Sequence, residues 1–192
     1  MINLKTTREL RYMRDAGKIS QEALLKAGEA VRPGVSTLEL DKIVRRTIEK
    51  AGAVPSFLGY GGFPASACIS VNNVVIHGIP SAHEILKEGD IVSIDVGAIY
   101  EGFNGDNAWT FPCGKVSEEA QKLMDATRES LFLAIEKAVP GNRIGDIGSA
   151  VQSYCEDAGF SVVRDFVGHG TGKELHEDPE VPNYGHQGRG PR

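Results

Sequence analysis

Two aspartates, Asp95 and Asp106, bracket the segment DVGAIYEGFNGD. They sit inside a longer stretch, DIVSIDVGAIYEGFNGDNAWTF (90–111), whose apolar alternation otherwise reads as a pair of β-strands. Carboxylates are poor strand formers, and two on one sheet face repel. A hairpin turning at Tyr100-Glu101 makes Asp95 and Asp106 cross-strand partners, with Cβ atoms about 4.5–5.5 Å apart. Two carboxylates at that range either share a cation or hold one proton between them. If Gly102 instead takes the left-handed position of a longer turn, a register change of one residue sends them to opposite faces. A single such aspartate is ordinarily a solvent-facing residue near a strand end. The pair, flanked by VSI, VGAI and AWTF, is a candidate metal or acid site.

Histidines are the natural co-ligands. Of the five in the sequence, His77 ends the run NNVVIHGIP and His169 lies in FVGHGTG. His176 follows seven residues later in KELHEDP. His83 and His186 lie in polar loop contexts. A histidine after an apolar run is commonly a hydrogen-bonded core residue. The glycines around His169 let a backbone or ligand approach closely and raise it above that expectation. A carboxylate-rich site with one imidazole suits Mn, Fe(II), Co or Zn. Two such ions about 3.5–4 Å apart can share and activate one water for hydrolysis.

Other chemistries find less support. GYGGFP lacks both GxGxxG and GK[ST], so a phosphate loop is only weakly suggested, and no GxSxG occurs. Cys68 has no base close in sequence and reads first as a buried structural thiol. Phe57, Tyr60 and Phe63 cluster before it, either as core or as the wall of an apolar pocket that Cys68 would complete.

These groups must be held by a framework, and its outline is legible. A helix spans 6–31, opened by the capping-box spacing of Thr6 and Glu9 and ended by Arg32-Pro33-Gly34. A second runs from Ser36, with Glu39 three residues on, to the stop at Gly52. ACISVNNVVIHG reads as a hairpin around Asn72-Asn73, and 90–111 as a second. Ser117 caps a third helix reaching about Ala138. A fourth covers about Ile144 to Gly159, and FSVVRDFVGHG is a further strand. Setting Pro33-Gly34 on Pro140-Gly141, an offset of 107, aligns Leu40 with Ile147 and Val44 with Val151. It also aligns Glu49 with Glu156, Ala51 with Ala158 and Gly52 with Gly159. The alignment suggests two helix–helix–strand halves, about 1–115 and 116–192, related by a pseudo-twofold axis within one domain. The first half has 59 residues between Gly52 and the end of its second hairpin at Phe111; after Gly159 only 33 remain. The second half is therefore expected to lack its last hairpin.

Bulk properties agree with a folded protein outside the nucleic-acid class. Of 192 residues, 41 % are hydrophobic, enough for a real core, and the net charge of −5 carries no nucleic-acid footprint. Three cysteines at irregular spacing, with no CxxC, read as reduced thiols. The N-terminus has no apolar signal core and no run approaches a membrane span, so a cytoplasmic location is expected.

FPASACISVNNVVIHGIP, GDIVSIDVGAIYEGFNGDNAWTF and GHGTGKELHEDPEVPNY together resemble the type I methionine aminopeptidases of the bacterial kind, over residues 1–192. The resemblance implies an α/β (α+β) pita-bread fold, an antiparallel sheet covered by helices, with internal duplication and the last strands of the second half missing. It implies excision of the initiator methionine from nascent polypeptides near the ribosome, assisted by two divalent metal ions (Co, Mn, Fe(II) or Zn). Asp95 would hold the first metal, Asp106 would bridge the pair and His169 would bind the second. His77 would contact substrate near the scissile amide nitrogen, and His176 would hydrogen-bond the scissile carbonyl and its oxyanion. Tyr60, Phe63, Cys68 and Leu175 would line the methionine side-chain pocket. Phe57 stands where relatives often have Cys, and Phe63 where they often have Tyr; both keep the pocket apolar.

The departure is at the C-terminus. The family completes its site with two glutamates from later strands, and Glu174, Glu177 and Glu180 do not match them. Three of five ligand residues would then be present, with weak or absent metal binding and little peptidase activity for these 192 residues. A full-length form is expected to be monomeric, whereas an uncovered sheet edge here would favour association. Engineered truncation, cleavage at Arg189 or Arg192, and a short natural form that pairs with another chain all fit this ending. Two other readings stay open. One is a proline-specific pita-bread peptidase, which would ordinarily carry an extra N-terminal domain. The other is a non-catalytic pita-bread binding module, against which the three ligand-type residues argue.

Overall fold

The computed structural model describes residues 2–192. The elements run α1 (Thr7–Glu29), α2 (Thr37–Lys50), β1 (Val54–Pro55), a 3-10 turn (Tyr60–Gly62), β2 (Ala67–Val71), β3 (Ile91–Tyr100) and β4 (Phe103–Pro112). Then follow α3 (Glu118–Lys137), α4 (Ile144–Asp157), β5 (Gly168–Gly170) and β6 (Glu177–Val181). Among the described residues no helix is long and apolar enough to cross a membrane.

Contacts gather into two compact units. One is Leu4–Ser117 together with Thr171–Leu175; the other is chiefly Glu118–Gly170 and His176–Arg192.

In the first unit both helices start on reciprocal caps. The Thr6 hydroxyl accepts from the Glu9 amide while the Glu9 carboxylate accepts from the Thr6 amide, and Ser36 and Glu39 repeat the arrangement. Two orphan donors are satisfied at each end. Ala16, Ser20, Ala23 and Ala27 form the buried stripe of α1; their small side chains let the helix lie close on the sheet. Leu40, Val44 and Ile48 of α2 are fully buried in the same core. The sheet is antiparallel: β3 pairs with β4 along one side and with β1 and β2 along the other. Val92, Ile94, Val96 and Ala98 meet the helices, so Ser93, Asp95 and Gly97 point to the opposite face.

In the second unit α3 packs against α4 through Ala126, Ser130, Ala134, Gly148 and Cys155, and β5 pairs with β6. The internal repeat is visible in the elements themselves. Both ends of α4 lie 107 residues after those of α2. Pro-Gly and helix-end glycines recur with the same left-handed backbone: Gly34 with Gly141 (φ 90° and 98°), Gly52 with Gly159 (φ 74° and 89°).

Three expectations are corrected. Asn72 does take a positive φ of 55°, but no hairpin forms around Asn72-Asn73. Its side chain instead bridges Asp90 and the Ile91 amide (2.9 and 3.0 Å), which ties the end of β2 to the start of β3. The strand read over FSVVRDFVGHG shrinks to Gly168–Gly170, because only that piece finds a partner, in β6, while Arg164, Asp165 and Phe166 lie exposed. The β3–β4 hairpin turns at Glu101-Gly102, not at Tyr100-Glu101. Both turn residues have positive φ (50° and 78°), the geometry of the tight turn that matches strand twist.

Candidate active site

The turn sets the register, and the register sets the acid pair. Asp95 lies opposite Ala108 and Asp106 opposite Gly97, so the two aspartates are diagonal neighbours on one face, not direct partners. A diagonal spacing still brings long side chains together, and the Asp95 carboxyl is hydrogen-bonded to that of Asp106. Burial first, then the charge and hydrogen bond of Asp106, push Asp95 up to about 7. Without a cation the pair holds a proton at neutral pH. That is the behaviour of a dyad whose full ionisation needs a nearby positive charge.

An apolar wall stands directly beside it. Cys68 on β2 faces Asp95 across the ladder, and Phe57, Cys68 and Leu175 form a buried cluster with Phe63 packed on it. Gly97 makes room for this wall: a Cβ there would stand 2.6 Å from the Phe57 ring and 2.7 Å from Ser56. The Cys68 thiol is pushed up to about 12, by burial and then by Asp95, Asp106 and Asp41. It is a neutral, inert lining group at neutral pH. Tyr60 lies in the 3-10 turn and is half exposed. Of the four expected lining residues, the structure gathers Phe63, Cys68 and Leu175 with Phe57. His77 is exposed in the loop between β2 and β3.

Two positioning residues escaped sequence reasoning. Asp41, buried on α2, accepts from the Ser66 and Ala67 amides (2.8 and 2.9 Å) and fixes the start of β2, one residue before Cys68. Asn104, buried on β4, accepts from the Ser56 hydroxyl (2.8 Å). It donates through its side chain to the Gly172 and Lys173 carbonyls and through its backbone to Gly172. It thereby holds Thr171–Leu175, and with it Leu175, against the sheet. An Asn before a Gly in a strand carries no signal of such a role. A ~450 Å³ hollow flanks the same strand, lined by Arg14, Lys18, Asn104, Asp106 and Thr171 among others.

The second unit carries its own paired imidazoles. His169 on β5 and His176 just before β6 have ring centroids 4.2 Å apart, tilted by 45°. His169 Nδ1 lies 2.9 Å from the Gly170 carbonyl. A carbonyl only accepts, so Nδ1 is the donor, and the neutral ring keeps its lone pair on Nε2, as a metal-ligating imidazole does. His83 and His186 are exposed.

The donor chemistry fits a divalent cation at Asp95 and Asp106: two carboxylates, mutually repelling when both are ionised, beside an apolar cluster. The set is sparse. Among the described residues no group of three or more His, Cys, Asp or Glu gathers to hold a metal.

Known proteins resemble this chain in sequence and fold. The chain is 57 % identical to the methionine aminopeptidase of Clostridium acetobutylicum over 192 residues, all of this chain and 77 % of that protein. The crystal structure of methionine aminopeptidase from Thermotoga maritima superposes with a TM-score of 0.97 at 44 % identity, covering 99 % of this chain and 76 % of that one. The prolidase from Pyrococcus furiosus matches at 24 % identity, over 96 % of this chain and 53 % of its own, with a TM-score of 0.80, a likeness of fold alone. The model of metallopeptidase family M24 matches residues 11–191. With its helix-covered antiparallel sheet of the pita-bread kind, this chain belongs to the methionine aminopeptidases of metallopeptidase family M24.

Proposed function

We propose that this chain carries the catalytic framework of a metal-dependent aminopeptidase that removes the initiator methionine from new polypeptides in the cytoplasm. The observation that carries the reading is the half-buried, hydrogen-bonded Asp95–Asp106 pair set beside the cluster of Phe57, Phe63, Cys68 and Leu175. A carboxylate dyad next to a neutral apolar wall suits a linear thioether side chain whose α-amino end lies over the acids.

Asp95, Asp106 and His169 are the proposed ligands, the last through Nε2. Bound divalent ions (Mn, Fe(II), Co or Zn) would polarise the scissile carbonyl and lower the pKa of a water. Asp95 and Asp106 would hold a cation with their shared proton released. His77 is assigned to the scissile amide nitrogen and His176 to the carbonyl oxygen, where a donor stabilises developing negative charge. Phe57, Phe63, Cys68 and Leu175, with Tyr60 at the rim, hold the methionine side chain and exclude water from it. Asn104 orients Leu175 and does not touch substrate.

A colorimetric assay on Met-Ala-Ser and Xaa-Pro peptides, with calorimetric titration of Mn or Co, tests the assignment. Metal uptake lost in Asp95→Asn supports it. Cleavage of Xaa-Pro in preference to Met-Ala-Ser would overturn the substrate assignment, and metal uptake unchanged in Asp95→Asn would overturn the ligand assignment.

A further inference from the structure

The loop between β2 and β3 is pinned to the sheet at a point beside His77. Among the described residues β2 pairs with β3 alone, and the loop returns to it at Gly78. The Ile69 amide donates to the Gly78 carbonyl (2.9 Å), and the Gly78 amide donates to the Ser70 hydroxyl (3.0 Å). Gly78 comes in so close that a Cβ there would collide with the Ile69 carbonyl and stand 2.9 Å from Ser70 Cα. Ser70 is buried, whereas residues 72–77 are all exposed. Val74, Val75 and Ile76 therefore supply little packing to hold the loop. Its ends have ties of their own. Asn72 reaches Asp90 and Ile91, and the Thr37 hydroxyl accepts from the Ser81 amide (2.9 Å). Neither of these adjoins His77; the Gly78 tie does. Ser70 also stands on a particular face. Along β2, Cys68 lies opposite Asp95 and Ser70 opposite Ser93. Alternation puts both on the side of the sheet that carries the acid pair.

We infer that Ser70 is a positioning residue for the peptidase reaction: through the Gly78 amide it fixes His77 over the site face of the sheet, and it does not itself touch substrate. The inference rests on the proposed role of His77 at the scissile amide nitrogen. A ring carried on an exposed loop is useful there only if its backbone is held, since small misplacements of a reacting contact are costly. A side chain without a hydroxyl at position 70 leaves the Gly78 amide without its acceptor and the loop with one tie fewer beside His77.

The test reads the loop and the reaction separately, on the full 192-residue chain. Ser70→Val removes the hydroxyl, and Ser70→Thr keeps it in a side chain of the same shape. Far-UV circular dichroism checks the fold, and Ser70→Ala replaces Ser70→Val if that variant is unfolded. Hydrogen exchange at the Gly78 amide, followed by NMR, should quicken roughly tenfold in Ser70→Val and less than about threefold in Ser70→Thr. The reaction is read with Met-Ala-Ser and Mn, as cleavage rate or, where cleavage is slow, as peptide Kd by calorimetry. Ser70→Val should lose roughly tenfold in that readout, Ser70→Thr should restore it, and Ser70→Val should add nothing to His77→Ala. Exchange at Gly78 unchanged in a folded Ser70→Val overturns the inference. So does a loss in Ser70→Val that persists in full on the His77→Ala background, or a loss in His77→Ala with none in Ser70→Val. A His77→Ala variant as active as the wild type overturns instead the assignment of His77 to substrate, and the inference with it.

Discussion

Replacing Asp106 by Asn should make the metal-free chain less sensitive to rising pH. The folded Asp95 carboxyl titrates near 7 against an ordinary value of 3.8. A group raised on folding contributes stability that is fully present below its unfolded value and lost as pH rises through its folded one. At 1.36 kcal/mol per unit, the difference corresponds to about 4 kcal/mol lost between about pH 4 and pH 7. Burial is the largest cause, and Asp106 adds to it through its charge and its hydrogen bond, a share on the order of 1–2 kcal/mol. The substitution removes the charge, and the new carboxamide can donate to the Asp95 carboxylate. Urea unfolding in chelator at about pH 5 and pH 8 measures the effect. The wild-type chain should lose more stability between the two than Asp106→Asn, by roughly 1–2 kcal/mol. Taking the difference between variants cancels the histidine titrations common to both. Equal pH dependence in the two proteins would refute the idea that these carboxyls repel in the folded state.

Further expectations concern neighbouring residues. Mn or Co should raise the melting temperature of the wild-type chain at about pH 8 and leave Asp95→Asn unmoved, since binding to the folded state alone stabilises by mass action. Cys68 should react slowly with an aromatic disulfide reagent at that pH, and faster in Asp106→Asn, because a negative neighbour is removed from a thiol held up by burial and charge. Asp41→Ala leaves the Ser66 and Ala67 amides unpaired in the core and should cost about 2–3 kcal/mol by urea unfolding. Gly97→Ala should destabilise by roughly 1–3 kcal/mol by the same measure, as the added methyl meets the Phe57 ring and Ser56.

Helices were legible because their signals are local. Thr6 with Glu9 and Ser36 with Glu39 announce reciprocal caps within four residues of chain, and both caps form. The repeat was legible for a related reason, since Pro-Gly and helix-stop glycines mark backbone conformations that other residues avoid. Strand pairing was less so. Nothing within NNVVIHG reveals that Asn72 will spend its amide on Asp90 and Ile91, far along the chain, and forgo a hairpin. Asp95 and Asp106 were picked out by the cost of placing carboxylates in strands. Their diagonal relation depends on which two residues occupy the turn, a choice separated by small backbone energies. Asn104 and Asp41 act on backbone amides and carbonyls, which every residue possesses. No pattern of side-chain types could have marked them.

Asn104 faces in three chemical directions: it receives a hydroxyl proton from Ser56 and offers its own to two carbonyls. Only a carboxamide has both an acceptor and a two-proton donor of this size. The residue after it is Gly105, and an asparagine followed by glycine is chemically prone to lose its amide nitrogen. Either product, aspartate or the isoaspartate that such a step mainly yields, would aim a negative oxygen at the carbonyls it formerly held. A latch would become a wedge, with no change of fold elsewhere. Burial of Asn104 in a paired strand, with the carboxamide held at both ends, is then what keeps that one side chain intact.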